Sequence, residues 1–504
     1  MRNILTMGRS ALLLAFAMLF FSGISSAQSD SGERYRPLLH FTPARGWMND
    51  PNGLVFNNGI YHLFYQYYPD SSKWGPMHWG HATSPDLLHW THRPIALYPD
   101  SLGYIFSGSA VVDKNNTSGF GTGGIQPLVA IYTYHDAKAA KAGKIDHQTQ
   151  GIAYSLDNGV RWTKYAGNPV LKNPGIDDFR DPKVSWFAPG KKWVMALAVD
   201  DHIEFYSSPD LKRWEKESSF GENLGAHGGV WECPDLFPLT INGKEYWVLI
   251  VNINPGGPNG GSATQYFVGS FNGKTFRPND AEIRWLDDGP DNYAGVTFSN
   301  TGGRRLFIGW MSNWAYGQEV PTYRWRSATT LPRELSLRMV NGKALVSSLP
   351  SAEVKKLEAS AKSGNGSATF SKALAENRDS LLRIDLTIPA KDFSMAFSND
   401  QGKQLVWGFD AATNRLYIDR HASGDTGFHP DFGKTSYAAR KTTAGEIRIT
   451  CIVDRSGMEL FADDGLTVMT AIYFPGKAFS KAAVLSGAIT GKWSLSRLKP
   501  VTVK

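Results

Sequence analysis

A unit made of a short polar motif, an apolar strand, a glycine-containing turn and usually a second apolar strand recurs five times and constrains the fold more than any other feature. It opens at Asp50 (DPNGLVFNNGIYHLFYQYY), Ser107 (SGSAVVD), Asp181 (DPKVSWFAPGKKWVMALAV), Glu232 (ECPDLFPLTINGKEYWVLIV) and Tyr293 (YAGVTFSNTGGRRLFIGW). The pairs Asn58-Gly59, Asn242-Gly243 and Gly302-Gly303 signal tight hairpins, whose central positions need positive φ. A second series interleaves with the first: Ser84-Pro85-Asp86 leads to Trp90, Ser155-Leu156-Asp157 to Trp162, and Ser208-Pro209-Asp210 to Trp214, with Ser270-Phe271-Asn272 to Phe276 as a degenerate copy. Its spacing, about 50 to 70 residues, is that of one propeller blade with its loops. Five units predict five blades, the first strand of each lining a central channel. Residues opening those strands then converge on one mouth of the channel.

Composition agrees with an all-β chain. There are 51 Gly, 27 Pro and 12% aromatic residues, and segments with helical apolar periodicity are scarce before residue 350. The predicted architecture is a five-bladed β-propeller over 36–345 followed by a β-sandwich over 360–504. In the second part, Leu382 to Ile388, Leu416 to Ile418, Ile447 to Val453 and Met458 to Phe461 alternate as antiparallel strands do. The intervening small, polar stretch KKLEASAKSGNGSAT reads as a linker or edge.

Residues 1–27 read as an export signal: Arg2 and Arg9, an apolar run from Ala11 to Phe21, and the small residues Ser25-Ser26-Ala27. This predicts a secreted or periplasmic protein without a membrane anchor, since no cysteine near that point offers a lipid site and no later segment is apolar enough to span a bilayer. The net charge of +7 comes without a Lys/Arg run, which argues against a nucleic-acid partner. Cys233 and Cys451 are read as free thiols in different domains. Oligomeric state is not legible.

Taken alone, Asp50-Pro51-Asn52-Gly53, Asp181-Pro182 and Glu232 to Asp235 are ordinary turn sequences. Register argues for more, because the three acids open three equivalent inner strands. Cleaving a glycosidic bond needs one carboxyl to protonate the leaving oxygen and another to attack the anomeric carbon or activate water, so acids gathered at one mouth suit it. The Ser-x-Asp…Trp series reads as structural: Ser155 to Trp162 matches the Asp-box of sialidases, a hairpin turn on the propeller exterior. No metal or other cofactor is called for; the pairs His78/His81 and His89/His92 fall on opposite faces of strands. By the same alternation Cys233 should point away from Glu232.

These motifs resemble those of the invertase, inulinase and levanase glycoside hydrolases, family 32. WMNDPNG at 47–53, FRDPK at 179–183 and ECPD at 232–235 are similar to the family's three acidic motifs in order, and FSGS at 106–109 and WMSNW at 310–314 to further segments. The likeness covers essentially all of 36–500, including the tail segment VDRSGMELFADDG. It implies a retaining exo-β-fructosidase acting on fructans or fructosyl oligosaccharides (levan or inulin) and on sucrose. In that scheme Asp50 is the nucleophile, Glu232 the acid/base and Asp181 the transition-state stabiliser, while Asn49, Gln66, Trp74, Phe106, Ser107, Arg180 and Trp314 hold the terminal fructosyl ring. Trp47 is placed in the same ring of aromatic residues. An endo-acting enzyme or a sucrose-dedicated invertase is the alternative. A sialidase would need an arginine cluster that the sequence does not assemble, and a non-catalytic sugar-binding protein would not need all three acids.

Overall fold

The computed structural model describes residues 33–504, so the export signal read over 1–27 lies outside the described residues. Five antiparallel sheets come in chain order, each built from consecutive strands except that Trp325–Arg326, which falls within the sequence of the fifth, joins the first. Their first strands are Gly46–Asn57, Tyr104–Val112, Phe179–Phe187, Val230–Ile241 and Tyr293–Thr297. Each packs against the next, and the fifth returns to the first, which closes a five-bladed propeller. Closure is fixed by Phe56 N–H donating to the Ser299 carbonyl (3.0 Å) and by Trp325–Arg326 pairing in parallel with Gly46–Trp47. The five polar motifs thus open five inner strands, as their recurrence predicts.

The Ser-x-Asp…Trp series forms the turns between the third and fourth strands of four blades. Asp86 Oδ1 accepts from the Leu88 and His89 amides, Asp210 Oδ1 from Lys212 and Arg213, and Asn272 Oδ1 from Lys274 and Thr275. Trp162 and Trp214 bond back to the carbonyls of Gly159 and Leu211. A side chain that satisfies turn amides needs no ligand, so this series is scaffold. Apolar side chains fill the spaces between blades: Ile131 and Ile152 of blade two pack with Trp193 and Met195 of blade three. Burying one such side chain contributes about 1.5–3 kcal/mol.

Residues 358–498 form two stacked sheets. One has six strands in the order Glu358–Asn365, Lys492–Leu498, Leu382–Pro389, Glu446–Val453, Gly457–Ala462 and Thr467–Ile472; the other has five. In Leu382–Pro389, Leu382, Ile384, Leu386 and Ile388 point inward. The stretch read as a linker or edge is an edge strand, Glu358–Asn365, leading into the helix Ser367–Glu376. The last propeller strand, Lys343–Pro350, runs past residue 345.

Charged groups lock the sandwich to the propeller. Fully buried Arg333 of blade five bridges Asp287 of blade four (2.8 Å) and Glu459 of the sandwich, and His40 lies between Asp454 (2.7 Å) and Glu459 (3.0 Å). Buried pairs of this kind add little net stability, yet removing one partner strands a charge in the interior.

Candidate active site

All five inner strands bulge against their neighbours at one level. The extra residues lie between Met48 and Pro51, Ile105 and Gly108, Arg180 and Lys183, Glu232 and Asp235, and Tyr293 and Val296. In blades three, four and five the bulge carries a non-glycine residue with positive φ: Asp181 (64°), Cys233 (43°) and Ala294 (51°). A bulge re-aims side chains and breaks the period of two, with two consequences that differ from the sequence reading. Glu232 is not equivalent to Asp181; it holds the position of Arg180 and Tyr293, one residue earlier. Cys233 occupies Asp181's place and turns inward, its Sγ 3.7 Å from Asp50 Oδ2 and 3.5 Å from Asp181 Oδ2.

The three acids meet at the floor of a cavity of about 360 Å³, at the mouth where the inner strands begin. Ser107 donates to Asp50 Oδ2 (2.7 Å), and the Cys233 amide donates to Asp181 Oδ2 (3.0 Å). Arg180 Nε donates to Glu232 Oε1 (3.0 Å), with Asp178 on the other side of the guanidinium, and the Tyr293 hydroxyl donates to Glu232 Oε2. Asn49, Gln66, Trp74, Phe106, Ser107, Arg180 and Trp314 all line the cavity. Trp47 does not. Wholly buried, it stacks beneath Trp314 (5.7 Å between rings) and donates to Asn49 Oδ1 (2.7 Å), so it supports the wall.

Several wall residues were not foreseen. His135 stacks flat on Phe106 (4.3 Å, 5°), and His147, Gln148, Asp178 and Gln318 also face the cavity. Asp178 lies just outside the FRDPK motif and was within reach of the sequence. His135, His147 and Gln148 belong to later strands of blade two or the loop before them, and only the sheet brings them to the mouth. His81 packs on Phe64 and His78 against Tyr98, as their spacing on a strand predicts.

Crowding sets the charges. Burial and then the Glu232 charge raise the Asp50 pKa, against the pull of Ser107 and Asn49. Burial pushes Asp181 up; Arg180 opposes this, Glu232 and Asp50 add to it, and the result is about 7. Burial opposes the charge on Arg180, but Glu232, Asp178 and Asp181 outweigh it and keep the guanidinium protonated. Burial and the three acids raise the Cys233 thiol, which stays neutral. Burial, with His147 and Arg180 nearby, lowers His135 to about 4, so a neutral ring faces the site.

A sugar-sized pocket with aromatic walls and acids on its floor defines a glycoside-cleaving class of site. Comparison with known proteins agrees. Residues 40–348 match the glycosyl hydrolases family 32 N-terminal domain and residues 346–500 the family's C-terminal domain. A levanase of Bacillus subtilis (strain 168) is 45% identical over 503 residues, covering 95% of this chain and 72% of that protein. The crystal structure of an exo-inulinase from Aspergillus awamori superposes with a TM-score of 0.83 at 36% identity, covering 92% of this chain and 98% of the other. A β-fructofuranosidase from Schwanniomyces occidentalis, complexed with fructosyl-erythritol, gives 0.84 at 33% identity, covering 93% and 98%. The chain belongs to glycosyl hydrolase family 32.

Proposed function

We propose that the protein is an exported, retaining exo-β-fructosidase that removes terminal β-fructofuranosyl units from levan or inulin, and from sucrose. The observation that carries this reading is the pocket itself: Asp50, Asp181 and Glu232 lie on its floor, and Trp74, Phe106 and Trp314 wall a space for one terminal ring. The relatives named levanase, exo-inulinase and β-fructofuranosidase support fructosyl substrates.

In this scheme Glu232 protonates the leaving oxygen while Asp50 attacks the fructosyl C2, forming a covalent fructosyl-enzyme. Asp181 accepts hydrogen bonds from ring hydroxyls and offsets the positive charge that develops at C2. Esterification of Asp50 removes a negative charge beside both other acids. Glu232, ionised by the first step, then takes a proton from water, which attacks C2 and frees Asp50. Arg180 and Tyr293 hold the two oxygens of Glu232 in place throughout.

The test is brief digestion of levan, inulin and sucrose side by side, with products separated by chain length. Free fructose as the sole early product from at least one polymer supports the exo reading. An early ladder of oligosaccharides from both polymers transfers the protein to the endo-acting alternative, and cleavage of sucrose alone to the invertase alternative.

A further inference from the structure

The inner strands run from the acid-bearing mouth to the opposite mouth of the channel. About six residues separate Asp181 from Phe187, so the two ends lie roughly 20 Å apart at 3.3 Å per residue. The far mouth opens into a second cavity of about 600 Å³, larger than the catalytic one, bounded by the ends of inner strands from blades two, three and four and by residues of blade five.

The lining of the far cavity has the chemistry of a carbohydrate site. Half-buried Trp186 and Trp247 border it, packed against two further lining rings, Trp193 (5.1 Å between rings, edge-on) and Phe271 (5.1 Å, tilted). Such faces suit the C–H surface of a sugar ring. Arg305 lies over Phe237 (5.1 Å), and its buried Nε has no hydrogen-bond partner among the described residues. Arg305 lines the cavity, and the N–H groups of a guanidinium suit sugar hydroxyls. Lys114, Arg305 and Glu245 leave the lining with one net positive charge, so the two indoles, not charge, point to a carbohydrate.

We propose that the far mouth is a second binding site for a neutral carbohydrate chain, occupied by a distant segment of the polymeric fructan whose end is cleaved at the first. The identity of the polymer rests on the functional reading above. A second foothold raises the local concentration of chain ends and has no effect on a substrate as short as sucrose.

The experiment compares the full chain with a Trp186→Ala/Trp247→Ala variant. Expected is a rise of about fivefold in KM for levan or inulin, in line with the loss of ring stacking, with kcat on the polymer and both constants for sucrose unchanged. Unchanged polymer KM in a variant with native thermal stability overturns the proposal. Should the double variant melt early, Arg305→Gln is the arbiter: it removes the guanidinium and keeps a side chain over Phe237. A several-fold higher polymer KM supports the site, and an unchanged one overturns it. Affinity electrophoresis of Asp50→Asn backgrounds in gels containing levan, inulin or dextran separates this idea from the enzymatic reading. If the protein cleaves no fructoside, retardation that is lost in the far-mouth variants still supports the second site; equal migration with and without every polymer overturns it.

Discussion

Tyr293 and Glu232 hold equivalent positions on adjacent blades, and the tyrosine hydroxyl donates to Glu232 Oε2. Arg180, in the same position one blade earlier, donates to Oε1. Both oxygens of the acid are therefore aimed by neighbours that the bulges place beside it. Removing the hydroxyl with Tyr293→Phe leaves the ring packing and frees one oxygen to rotate. The expected result is a fall in kcat of about 10- to 100-fold with KM within about twofold. Steady-state kinetics at fixed pH checks it, and an unchanged kcat excludes a positioning role for Tyr293.

Asp50→Asn and Glu232→Gln should each lower turnover by several orders of magnitude, about 4 kcal/mol or more of barrier, with little change in melting temperature. Both side chains face the cavity rather than the apolar core. Their roles separate chemically: azide added to Glu232→Ala with an activated fructoside should restore turnover and give the β-fructosyl azide, because the nucleophile remains. An Asp50 variant should not yield that product. The reverse outcome exchanges the two assignments.

Trp47 was read in the sequence as part of the sugar-binding ring, yet it makes its contacts one layer below. Its indole N–H holds Asn49, and its face supports Trp314. Trp47→Phe keeps most of the packing and removes the hydrogen bond, whose loss costs about 1 kcal/mol. KM for sucrose should rise about three- to tenfold, with kcat less affected. A loss confined to thermal stability would confine Trp47 to the core.

The blades were legible because each inner hairpin repeats one apolar pattern, and the turns because Ser-x-Asp…Trp encodes its own hydrogen bonds. The acids were legible as motifs, but their register was not. Alternation assigns Cys233 to the face opposite Glu232; a residue inserted at φ 43° cancels that rule and places the thiol against Asp50 and Asp181. A local signal stood in three blades, since Pro51, Pro182 and Pro234 fall in or at the end of the bulges and proline inside a strand marks one; at Ala294 there is no such proline. His135 and Gln148 were hidden for another reason: they reach the mouth only through the pairing of Leu128–His135 with Gln148–Ser155.

The domain interface was equally invisible, because His40, Arg333 and Glu459 meet only in the closed structure, and it makes a pH prediction. Burial opposes the charge on His40, but Asp454 and Glu459 overcome it and raise its pKa from 6.5 to about 9. A group whose folded pKa exceeds its unfolded value contributes stability that is fully present below the unfolded value and lost as pH rises through the folded one. The contribution is about 3 kcal/mol below pH 6.5 and fades between there and about pH 9. Glu459 acts in the opposite direction: burial raises it, but Arg333 and His40 bring it down to about 2, so its contribution is lost as pH falls from 4.5 towards 2. Thermal melts from pH 2 to 10 should show a steady alkaline decline above pH 6.5 in the wild type. His40→Gln should melt lower at pH 6.5 yet decline less steeply, because no group at that position titrates; its acid limb should remain, since Arg333 still faces Glu459. Parallel alkaline limbs in the two proteins would mean that His40 is neutral in the fold, leaving Asp454 and Glu459 to be balanced by backbone donors and Arg333 alone.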